Sequence, residues 1–263
     1  MEKWNPGKIK KNSFINEDYN DKKDIVFGIR PVIEAIHSGR EIDKIFVQKD
    51  QNSLLTNELI ALAQEHGIPI ARVPLEKLNK ITRKVHQGVI CYLSAIHYAS
   101  LDNVISEAWN QGKEPLLLIL DRITDVRNFG AITRTAECMG VNGIVIPSRG
   151  AAQINSDALK TSAGALNFIP VCREENLKNT LTYLKDSGIQ IIACTEKAED
   201  LPASVDMKGP VAIVMGSEED GISPEYLKKA DKKVRIPMTG KVGSLNVSVA
   251  AGMILYEVVR QRS

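Results

Sequence analysis

The fold of this chain is most strongly constrained by six short, continuously apolar segments in its C-terminal half. They lie at 115–120, 143–147, 168–172, 189–195, 211–216 and 233–238. Helical patterns lie between them near 130–139, 157–165, 174–187 and 223–230, and a last helix is predicted from about 246 to 261. Strands that are apolar along their whole length need cover on both faces, which the intervening helices can provide. The pattern therefore predicts an α/β domain with a mostly parallel sheet.

The N-terminal part carries a smaller α/β pattern. Val32, Ile33 and Ile36 share one face of a predicted helix that stops at Gly39, and a second amphipathic helix and three strands follow. The first stretch of the chain is polar and charged, as is typical of a flexible tail. The stretch between the two patterns ends in Gly-Lys-Glu-Pro and is predicted to be a linker with a short helix. The predicted organisation is a tail (1–24), a small α/β domain (25–98), a linker (99–114) and a larger α/β domain (115–263).

Composition limits the class of protein. The net charge of +2 and the pI near 8.2 permit a nucleic-acid partner without requiring one. The four cysteines and four histidines are scattered without ligand spacing, so neither a metal site nor a disulfide framework is expected. No apolar run reaches the roughly 18 residues of a membrane span. We therefore expect a cytoplasmic protein without a metal and without a membrane segment.

Ligands of open parallel sheets bind outside the carboxyl ends of the strands. The loops after Leu120, Thr195, Met215 and Met238 are therefore expected to hold the functional residues. The first loop leads into DVRNFGAITRTAECMG at 125–140. This stretch has neither G-x-G-x-x-G nor G-K-[ST], so it lacks the phosphate cradle of a nucleotide-binding domain, which argues against an NAD-dependent oxidoreductase.

Two polar residues of that stretch are candidates for a function. Asn128 is a plausible N-cap of the helix that follows. Arg134 lies away from the apolar face of this helix, near its start and near the strand ends. Taken alone, Arg134 is more simply explained as a surface residue that contacts solvent or pairs with Glu137.

The loop after Met215 reads GSEEDGIS. Gly216 and Gly221 suit a turn at which the backbone approaches a ligand closely, and Ser223 with Pro224 starts a helix. We expect Gly216→Val to block the ligand pocket sterically while leaving the fold intact.

The last loop contains two glycines and two candidate helix caps, Ser244 and Asn246. From Val247 onward the helix is apolar nearly all round, so it must be buried on more than one side. Its own domain can cover one side, and a partner subunit is predicted to cover the other.

Three motifs in these loops resemble those of the SpoU family of RNA ribose 2′-O-methyltransferases, in the SPOUT superfamily. They are N-x-G-x-x-x-R-T-A at 128–136, M-G-S-E-x-x-G at 215–221 and I-P-M-x-G-x-x-x-S-L-N-V-S-x-A at 236–250. The segment from 26 to 98, with G-I-R-P-V-I-E-A-I and V-H-Q-G-V, resembles the substrate-binding domain, similar to ribosomal protein L30e, of the branch that methylates guanosine in 23S rRNA.

The resemblance implies a fold, a cofactor and a set of site residues. It implies an N-terminal L30e-like α/β domain, a C-terminal SPOUT domain with a mostly parallel sheet and a deep trefoil knot, S-adenosylmethionine as cofactor, and a homodimer formed over the knot. Carried over by motif, the cofactor pocket would be lined by Thr195, Gly216, Ile236 and Leu245. The active-site positions would be Asn128, Arg134, Glu218, Ser244 and Asn246.

The implied reaction is a direct displacement in which a ribose 2′-hydroxyl attacks the sulfonium methyl. The family proposal makes the motif arginine the base, assisted by an RNA phosphate. A guanidinium is very hard to deprotonate in a protein, so Arg134 can instead clamp the phosphate and stabilise the developing alkoxide.

Alternative functions differ in substrate or in class. A guanosine of 23S rRNA is the expected substrate, and a tRNA ribose is the alternative within the same chemistry. A non-catalytic RNA-binding relative is disfavoured because the motif residues are all present. The basic residues of the segment from 25 to 98 predict that it binds structured RNA without catalysis, although they also suit an ordinary soluble surface.

Overall fold

The computed structural model describes residues 24–263, which contain two β-sheets. The N-terminal elements are β1 (Ile25–Phe27), α1 (Ile29–His37), β2 (Ile42–Gln48), α2 (Leu54–Glu65), β3 (Ile70–Val73), α3 (Leu75–Ile81) and β4 (Val89–Leu93). Their strands form a four-stranded sheet in the order β1-β4-β2-β3, in which only the pair β2–β3 is parallel. Helices α1 and α2 pack on one face of this sheet, and α3 packs on the other.

The C-terminal elements form a larger, six-stranded sheet. They are α4 (Leu101–Asn110), β5 (Leu116–Leu120), α5 (Val126–Cys138), β6 (Gly143–Pro147), α6 (Ser156–Thr161), β7 (Val171–Glu174), α7 (Leu177–Asp186), β8 (Gln190–Cys194), β9 (Val211–Met215), α8 (Pro224–Lys229), β10 (Lys232–Val234) and α9 (Val247–Arg262). The strand order is β10-β8-β9-β5-β6-β7, and every pairing in this sheet is parallel. The parallel sheet predicted from the apolar segments is therefore confirmed.

The core of the C-terminal part has two layers, one on each face of the sheet. Alternate residues of β5 point to opposite faces, so Leu118 packs with α5 and α9 while Leu117 packs with α4 and α7. Both β5 and β9 are buried along their whole length. This double cover explains why their sequences are continuously apolar rather than alternating.

The stretch predicted to be a linker is part of this core. It does carry a helix, but α4 is ten residues long and buries Leu101, Val104, Ile105 and Ala108 against the larger sheet. These residues follow the i, i+3, i+4, i+7 spacing of an amphipathic helix, a signal that was present in the sequence. The helix packs so closely that a Cβ on Gly143 would lie 2.8 Å from Val104 Cγ1.

Other differences are local. Strand β10 ends at Val234 rather than near 238, and the chain from there to α9 leaves the sheet and forms a loop. Strand β1 and helix α3 were not predicted, because three residues are too few for a periodic pattern and α3 buries only Leu78. None of the helices within residues 24–263 is long and apolar enough to cross a membrane. The predicted tail lies outside the described residues, except for Asp24.

Candidate active site

Three of the predicted site residues, each from a different motif, meet at one point. The side-chain amide of Asn128 donates to Oε1 of Glu218 at 3.0 Å. The amide of Asn246 donates to the same oxygen at 2.8 Å and to Oδ1 of Asn128 at 3.0 Å. A carboxylate that accepts two amide donors holds both of them in fixed orientations, so Asn128, Glu218 and Asn246 form one hydrogen-bonded cluster.

The sheet order explains why these residues meet. Strands β5 and β9 are neighbours, with Leu120 opposite Met215, so the loops that follow them leave the sheet side by side. Helix α5 starts from the first loop, and Glu218 lies in the second. Helix α9 packs against α5, which brings the N-terminus of α9 to the same edge. Asn246 caps α9 by accepting a hydrogen bond from the Ser248 amide at 2.9 Å, as predicted.

The prediction that Asn128 caps its helix was wrong. Helix α5 begins at Val126, and its cap is Asp125, which accepts a hydrogen bond from the amide of Asn128 at 2.8 Å. Asn128 therefore lies in the first turn, and its side chain is free to reach Glu218. Gly130 is buried inside α5, where a Cβ would overlap Thr161. Its role is to let α6 approach α5 closely.

A cavity of about 340 Å³ lies at the carboxyl ends of β8 and β9, between the 216–221 turn and the loop before α9. We refer to it as the glycine-turn pocket. All four residues predicted to bind the cofactor line it: Thr195, Gly216, Ile236 and Leu245. Two of the predicted active-site residues, Glu218 and Ser244, line it as well. The volume falls within the range of small-molecule sites.

The charges of the glycine-turn pocket fit a cationic ligand without phosphate. Its lining includes four carboxylates, from Glu196, Glu218, Glu219 and Asp220, and a single cation, from Lys197. Apolar side chains such as Met215 and Ile236 line it too, and they suit a flat heterocycle. A phosphate would be repelled by the excess of carboxylates, whereas a sulfonium would be attracted. The residues present therefore fit S-adenosylmethionine.

Gly216 lines the pocket, as predicted, and it also has a structural role in the turn. A Cβ at this position would overlap the carbonyl carbon of Gly221 and the amide nitrogen of Ile222. The glycine is needed because the 216–221 turn folds back onto it. A valine at this position would push against the turn before it reached the pocket, so we now expect Gly216→Val to lower stability as well as to block the ligand.

The turn is held by two residues that the sequence patterns did not reveal. Asp121 is 1% exposed and accepts a hydrogen bond from the Ser223 amide at 2.6 Å. Arg122 donates to Asp121 at 3.1 Å, to Asp220 at 2.9 Å and to the carbonyl of Gly221 at 3.1 Å. The hydrogen bond to Asp121 raises the pKa of the Arg122 guanidinium. The available signal was the position of this Asp-Arg pair, directly after the central strand β5.

The backbone of Arg122 is unusual for its residue type. Its φ is +58°, in the left-handed region that non-glycine residues rarely adopt. Such a conformation costs on the order of 1–3 kcal/mol and persists where surrounding contacts hold it. The hydrogen bonds of the guanidinium to the 216–221 turn supply those contacts.

Arg134 and Ser244 lie apart from the hydrogen-bonded cluster. Arg134 follows Asn128 by six positions on α5, which is about 9 Å along the helix and about 120° around it. Arg134 is exposed, and its guanidinium makes no ion pair or hydrogen bond within residues 24–263, so the pairing with Glu137 is not formed. Ser244 is exposed at the wall of the glycine-turn pocket. Within the same residues, no His, Cys, Asp or Glu side chains are grouped so as to hold a metal ion.

Comparisons with known proteins cover both parts of the chain. Residues 115–256 match the SpoU rRNA Methylase family, and residues 25–99 match the family described as RNA 2′-O ribose methyltransferase substrate binding. A Bacillus subtilis (strain 168) protein described as "Putative TrmH family tRNA/rRNA methyltransferase YacO" is 38% identical over 244 residues, which are 93% of this chain and 98% of that protein.

Two solved structures are informative relatives. The AdoMet-bound rRNA methyltransferase from Sinorhizobium meliloti has a TM-score of 0.58 and 25% identity, over 90% of this chain and 87% of that one. The A. aeolicus TrmH/SpoU tRNA modifying enzyme has a TM-score of 0.53 and 36% identity, over 57% of this chain and 76% of that one.

Proposed function

The chain belongs to the SpoU family of rRNA methylases and is an S-adenosylmethionine-dependent RNA methyltransferase, and we propose that it methylates the ribose 2′-hydroxyl of a guanosine in 23S rRNA. The observation that carries this proposal is the cluster of Asn128, Glu218 and Asn246 beside a carboxylate-rich pocket at the strand ends. A ribose 2′-hydroxyl is supported by the match of residues 25–99 to the family described as RNA 2′-O ribose methyltransferase substrate binding. An rRNA is supported by the match of residues 115–256 to the SpoU rRNA Methylase family.

The cofactor supplies an electrophilic methyl group when it is bound in the glycine-turn pocket. We assign its binding to Thr195, Gly216, Ile236 and Leu245. The 216–221 turn, braced by Arg122, presents backbone groups to the pocket and holds Glu218 toward the two asparagines. Because these elements are fixed before the substrate arrives, little reorganisation is needed when the ribose is positioned.

Arg134 has the role of a phosphate clamp in this proposal. Its side chain is exposed and unpaired within residues 24–263, so its five N–H donors are available to an incoming RNA phosphate. Once this phosphate holds it beside the ribose, the guanidinium would stabilise the alkoxide that develops there. Ser244 and the asparagines are assigned to orient the ribose hydroxyl toward the methyl group.

We further propose a homodimer through the C-terminal helix, with the chain between β10 and α9 threaded into a trefoil knot. Val249, Met253 and Tyr256 are 50%, 49% and 59% exposed and recur at helical spacing on one side of α9. The opposite side of α9 is buried in the core. A second copy that packs on the exposed apolar side would remove it from water.

The two sequence matches also support separate functions for the N-terminal and C-terminal parts of the chain. In this proposal, residues 25–98 form the RNA-binding domain. Residues 115–263 form the methyltransferase domain, with helix α4 of the segment 99–114 packed on its sheet. An rRNA substrate places the reaction in the cytoplasm.

The test is a map of ribose methylation in 23S rRNA and tRNA from cells with and without the gene. The proposal expects one guanosine of 23S rRNA to lose its 2′-O-methyl group when the gene is deleted, and to regain it on complementation. Loss of a tRNA ribose methyl group instead would transfer the assignment to tRNA. Unchanged methylation in both RNAs would refute a ribose substrate in either.

A further inference from the structure

A second cavity, of about 460 Å³, lies between the two sheets. One wall is formed by β2 and β3 and contributes Lys44 and Arg72. The other wall is the loop after β6, with Ser148 and Arg149, together with Arg173 of β7. We refer to this cavity as the inter-sheet cleft.

The inter-sheet cleft is strongly cationic. Four cationic side chains and a single carboxylate, Asp43, line it. The carboxylate is already engaged, since it accepts a hydrogen bond from the Tyr98 hydroxyl at 3.1 Å. Burial raises the pKa of Asp43 and lowers the pKa of Lys44. The cleft still has a net positive charge, because four cationic residues face one carboxylate.

The walls of the cleft are fixed relative to each other. Arg173 donates to the carbonyls of Ile42 and Asp43 at 2.9 and 3.1 Å, and its guanidinium lies 4.1 Å from the centre of the Tyr98 ring. These contacts join β7 of the larger sheet to β2 of the smaller one. A ligand would thus meet a preformed groove rather than two surfaces that must first be brought together.

Two arginines at the cleft have side-chain N–H donors that remain available to a ligand. Arg72 uses Nη1 to bind the carbonyls of Lys49 and Gln51, which orients its guanidinium and leaves Nε and Nη2 without a partner in the described part of the chain. Arg149 is exposed, and its side chain makes no ion pair or hydrogen bond within residues 24–263. An arginine fork binds phosphate oxygens in a bidentate manner, which a lysine cannot do.

The inter-sheet cleft adjoins the candidate active site. Its loop leaves the same edge of the sheet as the loops after β5 and β9. Gly150 of this loop has a φ of +78°, and a Cβ on it would lie 3.6 Å from Cγ of Arg122. Arg122 in turn binds Asp220 and Gly221, which line the glycine-turn pocket. A single side chain therefore separates the cleft from the turn that borders the pocket.

We propose that the inter-sheet cleft binds the sugar–phosphate backbone of the substrate RNA next to the methylated nucleotide, with Arg149 and Arg72 as its phosphate ligands. This inference rests on the proposed function, because it takes RNA to be the substrate. It makes the loop after β6 part of RNA binding, in addition to the segment from 25 to 98. RNA rather than an acidic protein is favoured because the cleft continues toward a site that acts on ribose.

The experiment compares cleft variants with charge reversals at the amino ends of the strands of the larger sheet, on the side away from the cleft loop. The cleft variants are Arg149→Glu and Arg72→Glu, and the controls are Lys113→Glu and Lys208→Glu, whose lysines are exposed beyond the amino ends of the strands. Binding of labelled transcripts of 23S rRNA and of tRNA is measured at several salt concentrations. Cofactor affinity is measured by calorimetry, and folding by thermal unfolding.

The proposal expects each cleft variant to bind RNA at least tenfold more weakly than either control, with unchanged cofactor affinity. The slope of log K against log salt should become shallower by about 0.7 for each phosphate of a single strand that the variant no longer neutralises. Arg149→Lys should restore part of the affinity and the slope. Arg149→Glu is the decisive variant, because it breaks no hydrogen bond or ion pair within the described residues.

Three results would overturn the proposal. Wild-type RNA affinity and salt slope in a folded Arg149→Glu variant would exclude the cleft while leaving the proposed methylation untouched. Losses of equal size in the controls would show that only net charge matters. A wild-type protein that bound neither RNA at low salt would refute both RNA binding by the cleft and the proposed substrate class. This conclusion would hold even if the cleft bound an acidic protein.

Discussion

Glu218 is the residue on which the candidate active site converges, since one of its oxygens accepts both asparagine amides. Glu218→Ala removes that acceptor, and we expect turnover to fall on the order of 100-fold, as it does when one preorganised hydrogen-bonding group is removed. Glu218→Gln keeps an acceptor oxygen but loses its charge, so its effect should be smaller. Single-turnover methyl transfer measures both. Glu175→Ala is the matched control, because the exposed Glu175 carboxylate makes no hydrogen bond or ion pair within residues 24–263 and lies outside the glycine-turn pocket. Equal losses in Glu218→Ala and Glu175→Ala would contradict the assignment.

Variants of Arg134 distinguish a catalytic role of this residue from a structural one. Arg134→Ala and Arg134→Lys should each lower turnover by on the order of 100-fold or more, because lysine keeps the charge but loses the planar fork. Cofactor affinity and the melting temperature should barely change, since the guanidinium has no partner within the described residues. Methyl transfer at the wild-type rate in Arg134→Ala would end the proposed role.

At the level of the element, the 216–221 turn depends on the absence of a side chain at Gly216. We expect Gly216→Val to destabilise the protein by about 1–3 kcal/mol, as overpacking does, which corresponds to a fall of several degrees in Tm. Cofactor binding should be lost together with the turn. Gly240→Val is the control, because a Cβ on Gly240 meets no atom within 4 Å. Unfolding curves and calorimetry measure the two effects, and an unchanged Tm in Gly216→Val would show that the turn can relax around the valine.

Elements with strong apolar patterns could be predicted, and those held by tertiary contacts could not. Strands β5, β6 and β9 follow from continuous apolar runs, and their boundaries differ from the structure by one residue at most. Helix α4 was predicted only as a short helix in a linker because its segment lacks a long apolar run, although its apolar residues have amphipathic spacing. The start of α5 was misplaced because two potential caps, Asp125 and Asn128, lie three residues apart. A sequence does not reveal which of two potential caps will instead form a hydrogen bond with a distant side chain.

The candidate site also has parts that could be predicted from the sequence and parts that could not. The resemblance to the three family motifs identified the residues of the hydrogen-bonded cluster, whereas the residues taken alone suggested only helix caps and a solvated turn. The contacts of Asp121 and Arg122 with the 216–221 turn and Ser223 were not predicted, since their partners lie about 100 positions away in the sequence. The inter-sheet cleft was equally hidden, because it exists only where two sheets meet.

For the whole molecule, the exposed side of α9 predicts association. We expect a homodimer at micromolar concentration with an interface that buries more than about 2,000 Å², the scale of obligate dimers. Met253→Glu places a charge in the middle of that side and should give monomers. Sedimentation velocity distinguishes the two states. A wild-type protein that sedimented as a monomer would contradict the proposed dimer.

The reaction proposed for the whole molecule is transfer of a methyl group to a ribose in 23S rRNA. The most direct measurement incubates the purified protein with methyl-labelled S-adenosylmethionine and with rRNA and tRNA from cells that lack the gene, and then identifies the labelled nucleoside after digestion. We expect 2′-O-methylguanosine in 23S rRNA, and on the order of 100-fold slower labelling when the Glu218→Ala protein is used at the same concentration. A label on a base, or no transfer to any RNA, would contradict the proposed reaction.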